Sequence, residues 1–224
     1  AADARPVWPR EVTVASPLRL YIAGDSMAGQ FGRPLAALAE RTGPVRARVD
    51  YHVSSGLSRP DYFDWPQRLI DMVVETRAEA VVFLVGGNDA QDVKWKGRVL
   101  DVDSRAWLDL YRLRVAEAME IATAGGRRLY WVGQPVMKDE TYGRRMARLN
   151  EVYVEAAAAH DGVTYVDAWR LFARADGTYA AYLRDDDGKR VRMRQADGIH
   201  LTRAGADRLA SHVLDAVRAD WGIE

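Results

Sequence analysis

The sequence has no cysteine, and that one absence removes disulfide frameworks, thiolate metal sites and a cysteine nucleophile together. It also lacks net charge, since Lys plus Arg and Asp plus Glu number 32 each. No global field is therefore available to recruit nucleic acid or an anionic membrane, and neither is expected as a partner. No apolar run approaches the length needed to cross a bilayer, and residues 1–17 have neither the basic start nor the apolar centre of a signal peptide. Membrane insertion by this stretch is not expected, although an anchor or leader further upstream is compatible with it. Proline is sparse, yet Pro6, Pro9 and Pro17 all fall in the opening segment. Residues 1–17 accordingly read as an extended lead-in or linker, and residues 18–224 as one domain with length enough for a single large core.

What the chain does have is an alternation. Short apolar, β-prone runs at 18–23, 47–53, 80–85, 128–132 and 163–167 are each followed by small or polar residues, and segments with apolar residues at helical spacing separate them. Strands alternating with helices predict an α/β fold. The expected architecture is a three-layer αβα sandwich whose central five-stranded parallel sheet is covered on both faces. Residues 172–194 break the pattern with short alternating segments around Asp176-Gly177 and Asp187-Gly188, which predict an inserted β-hairpin. Residues 90–103, with Trp95 between Lys94 and Lys96, read as a surface loop rimming the site. The run Asp185-Asp186-Asp187 lacks the spaced ligands of a calcium loop and reads as a solvated turn.

In such a sheet ligands bind at the carboxyl edge, so residues just after strands can converge without being close in sequence. Ser26 stands at a strand-to-helix turn, where its hydroxyl would lie by the unpaired backbone NH groups of a helix start. An alcohol nucleophile needs a base and a carboxylate to orient that base. His200 stands on a loop before a capped helix with Asp197 three residues earlier, whereas His160 and His212 read as helix residues and His52 as structural. The Ser26 NH, the Gly56 NH and the Asn88 amide are candidate donors to a developing oxyanion. Tyr62, Trp65 and Trp95 either stack a sugar ring or pack internally, and Gln134 follows the fourth strand into the same region. No residue spacing marks a metal or cofactor site, and none is expected.

Four blocks, Gly24-Asp25-Ser26, the Gly56 of Ser-Ser-Gly-Leu, Gly86-Gly87-Asn88-Asp89 and Asp197-Gly198-Ile199-His200, resemble in identity and order those of the SGNH hydrolase superfamily, the GDSL esterases and lipases. The resemblance runs from about Leu18 to the final helix, with Met27 where the family name has Leu. It implies a flavodoxin-like sheet, Ser26 as nucleophile, His200 as general base and acid, Asp197 as its orienting carboxylate, and Ser26, Gly56 and Asn88 as the oxyanion hole. More narrowly, Ser-Ser-Gly-Leu-Ser-Arg-Pro-Asp-Tyr-Phe-Asp-Trp-Pro and Gly-Asn-Asp-Ala-Gln look like a bacterial branch that is often exported or membrane-tethered, which implies an extracytoplasmic or periplasmic setting. The expected activity is serine esterase action on a short acyl ester, acetyl above all, carried by a small molecule or a glycan. An O-acyltransferase using the same residues and a non-catalytic carbohydrate-binding module are the alternatives.

Overall fold

The computed structural model describes residues 10–223. Nine of the residues expected to form the lead-in, 1–9, lie outside the described residues, as does residue 224. The elements follow in the order β1 (Leu18–Gly24), α1 (Ser26–Thr42), β2 (Val45–Tyr51), α2 (Trp65–Thr76), β3 (Ala80–Leu84), β4 (Val93–Trp95), β5 (Arg98–Leu100), α3 (Arg105–Thr123), β6 (Arg128–Val132), α4 (Glu140–Ala159), β7 (Val163–Val166), α5 (Ala168–Phe172), β8 (Tyr182–Arg184), β9 (Arg190–Arg192) and α6 (Arg203–Trp221).

Five of the strands form one parallel sheet in the order β2-β1-β3-β6-β7. Every residue of β3 is buried, as an inner parallel strand covered on both faces requires. Helices α1 and α6 pack together over one face, while α2, α3 and α4 adjoin one another on the other. Trp65, Trp131, Tyr21, Phe31 and Phe83 fill the space between the layers. Each such fully buried side chain contributes about 1.5–3 kcal/mol of apolar burial. Helix starts are fixed by side chains: Asp25, Asp64, Ser104, Asp139 and Thr202 each accept a first-turn NH.

The sheet order determines where a site can form. From β1 the chain moves to β2 on one side, then returns to β3 on the other, so the direction of winding reverses between β1 and β3. A crevice opens at that reversal, beyond the carboxyl ends of the two strands. Gly24 ends β1 there with φ +145°, and a Cβ on it would lie 1.8 Å from the Leu84 carbonyl oxygen of β3. Only glycine lets the two strand ends approach so closely.

Two stretches differ from the sequence expectation. Residues 93–100, expected to be irregular, form the β4-β5 hairpin, whose turn places Lys96 and Gly97 both at positive φ. A lysine in the left-handed region is uncommon, which is why the sequence carries no hairpin signal there. The short helix α5, capped by Asp167, was also not expected. The inserted hairpin is present as β8-β9, with Gly188 at positive φ in its turn, while Gly177, also at positive φ, sits in a separate turn closed by the Ala173–Tyr179 bridge.

Candidate active site

Ser26 is the first residue of α1, and its hydroxyl projects into the crevice after β1. Its Oγ lies 3.0 Å from His200 Nε2, and His200 Nδ1 lies 2.8 Å from Asp197 Oδ2. The hydroxyl, imidazole and carboxylate thus form one hydrogen-bonded line across 174 residues of sequence. Such a line can pass the serine proton to the ring while the carboxylate steadies the imidazolium. Asp197 Oδ1 accepts from the amides of Ile199 and His200. Burial alone would raise the Asp197 carboxyl, but these amides and the His200 ring outweigh it and hold the group at about 2. It therefore stays anionic at neutral pH, as an acceptor for the ring must. The His200 side chain is 32% exposed and that of Asp197 42%, so the site is shallow and open.

The His200 turn is seated from several sides. Gln195 NH donates to the His200 carbonyl at 2.8 Å and Gln195 Nε2 to the Leu201 carbonyl at 2.8 Å. Gln30 Oε1 accepts from Leu201 NH at 3.0 Å. Gln30 lies four residues after Ser26 on α1, so one helix face carries both the hydroxyl and the group that docks the histidine turn. That i, i+4 spacing was the one signal in the sequence that could have found Gln30.

The candidate donors to an oxyanion are the NH groups of Ser26 and Gly56 and the side-chain amide of Asn88. The NH of Ser26 belongs to the unpaired set at the start of α1, and among the described residues neither it nor the Gly56 NH has a backbone acceptor. Asn88 donates one amide hydrogen to the Ser55 carbonyl at 3.0 Å, which fixes the orientation of the amide and leaves its second hydrogen available.

Beneath these donors lies a buried polar network. Asp89, 1% exposed, accepts from the Ser58 NH at 2.6 Å and from the Tyr111 hydroxyl at 2.8 Å. The Tyr111 and Tyr153 hydroxyls are hydrogen-bonded at 2.8 Å, and Tyr153 donates to the Val85 carbonyl. Burial raises both phenols well above their ordinary value, which keeps them protonated and able to donate. Tyr142 reaches from α4 to hydrogen-bond the Gly87 carbonyl. Asp25, also 1% exposed, caps α1 through Oδ1, while its Oδ2 has no hydrogen-bond partner. Burial pushes the Asp25 carboxyl up to about 7 against the Met27 amide, and Asp89 adds to the rise.

Two of the candidate substrate-binding residues are buried, and Trp65 takes the packing alternative. Trp65 is wholly buried at the start of α2 and donates to Ser55 Oγ at 2.9 Å, so it supports the loop before Gly56 from inside the core. Gln134 is also wholly buried: its Nε2 donates to the Val85 carbonyl at 2.8 Å and its NH to Asn150 Oδ1 at 2.7 Å, tying the ends of β3 and β6 together. Tyr62 and Trp95 are about half exposed, at 50% and 41%. Tyr62 meets His52 edge-on and Phe63 stacks on His52, which gives that histidine its structural place. Trp95 lies under the charges of Lys96 and Arg114 and borders a groove of about 240 Å³ that Gly56 also lines. Asp185 sits in the β8-β9 turn, where its carboxylate accepts the Lys189 NH.

A five-stranded parallel sheet of this order, with the serine, glycine and asparagine blocks following its first three strands in sequence and the Asp-x-x-His block preceding α6, is the fold of the SGNH hydrolases. Residues 19–216 match the family described as "Protein of unknown function (DUF459)", and the chain belongs to that family. No curated protein matches the sequence. Among solved structures, an acetyl-xylooligosaccharide esterase variant from Geobacillus is similar with a TM-score of 0.65 and 16% identity over 89% of this chain and 94% of that one. A GDSL-like lipase from Bacteroides thetaiotaomicron gives 0.61 and 13% identity over 97% and 93%. The C-terminal catalytic domain of the Streptococcus pneumoniae peptidoglycan O-acetyltransferase A gives 0.59 and 13% identity over 93% and 96%.

Proposed function

We propose that the protein is a serine esterase that removes a short acyl group, acetyl above all, from a carbohydrate in an extracytoplasmic or periplasmic setting. The observation that carries this reading is the line from Ser26 Oγ through His200 to Asp197, with contacts of 3.0 and 2.8 Å. Ser26 Oγ attacks the ester carbonyl as its proton passes to His200 Nε2. The carbonyl oxygen, now an anion, accepts from the Ser26 and Gly56 amides and from the free hydrogen of the Asn88 amide. His200 then gives its proton to the departing alkoxide, leaving an acyl-serine, and a water deprotonated by the same ring releases the acid.

The carbohydrate part of the reading is supported by the open site, which leaves room for a bulky alcohol, and by the exposed Tyr62 and Trp95. The likeness in fold to an acetyl-xylooligosaccharide esterase points the same way. A second reading, O-acyl transfer to a glycan hydroxyl through the same acyl-serine, is favoured by the comparable likeness to a peptidoglycan O-acetyltransferase domain.

The test is hydrolysis of p-nitrophenyl acetate, butyrate and octanoate by the parent and by Ser26→Ala. Fast acetate turnover that disappears in the variant supports the esterase. Acyl transfer to an added oligosaccharide that outpaces hydrolysis supports the transferase. No turnover and no transfer by the parent sinks both.

A further inference from the structure

Arg194 is fully buried, yet all of its described hydrogen bonds go to uncharged groups. Its Nη1 donates to the Val136 carbonyl at 2.6 Å, in the segment that follows β6. Its Nη2 meets the Gly198 carbonyl at 3.1 Å, the Ile199 carbonyl at 2.7 Å and the Met137 sulfur at 3.3 Å. The guanidinium also lies 5.8 Å from the Phe172 ring centre and 5.4 Å from that of Tyr179. Burial lowers it from the ordinary arginine value to about 10. A buried charge without an ionic partner costs desolvation that a well-packed apolar side chain would not, so stability alone is a poor reason for its presence.

What the charge holds is informative. Gly198 and Ile199 are the two residues between Asp197 and His200, and their carbonyls are drawn down onto one guanidinium while Asp197 and His200 face up to the crevice. The planar fork can hold carbonyls from two separate segments at once, which neither the single nitrogen of lysine nor the short amide of glutamine can do. We propose that Arg194 is a positioning residue for the active site, setting the height and tilt of the His200 ring by clamping the turn before it to the Val136 carbonyl. The inference rests on the esterase reading of Ser26 and His200. A displacement of about 1 Å in a catalytic group can cost about 10²-fold in rate, so the clamp should be visible in turnover more than in substrate binding.

The experiment compares the parent with Arg194→Gln and Arg194→Lys. Near-UV circular dichroism confirms the fold, and competent sites are titrated with a fluorophosphonate that labels Ser26. With p-nitrophenyl acetate, Arg194→Gln is expected to lose about 10²-fold in kcat per titrated site with KM changed less than about threefold, and Arg194→Lys to recover part of the loss. Parent-like turnover per titrated site in a folded Arg194→Gln overturns the inference and leaves the esterase reading intact. Failure of both variants to fold also overturns it, because Arg194 is then a staple of the fold. A parent that neither hydrolyses the ester nor takes the label sinks the esterase reading itself, and the inference with it.

Discussion

Gly56 and the Asp89 carboxylate approach so closely that position 56 has no room for a side chain: a Cβ there would lie 2.2 Å from Asp89 Oδ1. The same Oδ1 accepts the Ser58 NH, so a single buried carboxylate sets where the loop after β2 runs and hence where the Gly56 NH points. The second and third sequence blocks are one object in space.

Gly56→Ala should therefore displace either its own NH or Asp89. The expected result is a loss of about 10²-fold in kcat for p-nitrophenyl acetate, the scale of losing one oxyanion donor. Steady-state kinetics on folded protein decides it. Parent-like kcat would mean that this NH does not face the reacting carbonyl.

Asp197→Asn removes the charge that holds the His200 ring but not the space that it fills. By analogy with the loss of a carboxylate from other serine-histidine pairs, kcat should fall by up to about 10⁴-fold while KM stays near the parent value. A loss below about tenfold would show that the backbone orients the ring without help.

Asp25 provides a test in pH. An unfolded aspartate titrates near 3.9, whereas burial raises folded Asp25 to about 7. Its contribution to stability is thus full below the unfolded value and is lost as pH rises through about 7. Asp25→Asn keeps the Oδ1 cap on Met27 and removes the titration. Compared with the parent, its Tm should gain as pH rises from about 4 to about 7 and level off above, by the equivalent of a few kcal/mol at most. A difference between the two Tm curves that stays constant across that range would contradict the assignment.

The two tryptophans should separate cleanly. Trp65→Ala empties a core position and should cost about 3–5 kcal/mol in urea unfolding. Trp95→Ala, on the exposed hairpin, should leave stability near the parent and raise KM for an acetylated oligosaccharide more than for p-nitrophenyl acetate. Equal effects on the two substrates would remove Trp95 from sugar binding.

The strands were legible because each is a short apolar run closed by glycine or a polar residue, and their alternation with helices made the sheet parallel, while its winding order came only with the family resemblance. Ser26, Gly56 and Asn88 stood out in the sequence as exits from strands at one edge, and Asp197 and His200 as an Asp-x-x-His turn before a capped helix. The burial of Trp65 and Gln134 was not legible because a polar atom on a loop or helix start says nothing about partners far away: Trp65 is satisfied by Ser55, and Gln134 by Val85 and Asn150. Arg194 went unnoticed among the charged residues of the 172–194 insertion, since its burial depends on carbonyls at 136 and 198 that no local pattern announces. The Lys96-Gly97 turn is legible only afterwards, because lysine rarely takes the conformation found there.

The first described residue, Arg10, donates through Nε and Nη2 to the two carboxylate oxygens of Glu79 at 2.6 and 2.7 Å. Glu79 is 2% exposed and immediately precedes β3, at the amino edge of the sheet. The polypeptide therefore joins the domain on the side opposite the crevice that holds Ser26. A tether attached at Arg10 would leave that crevice facing away from the support.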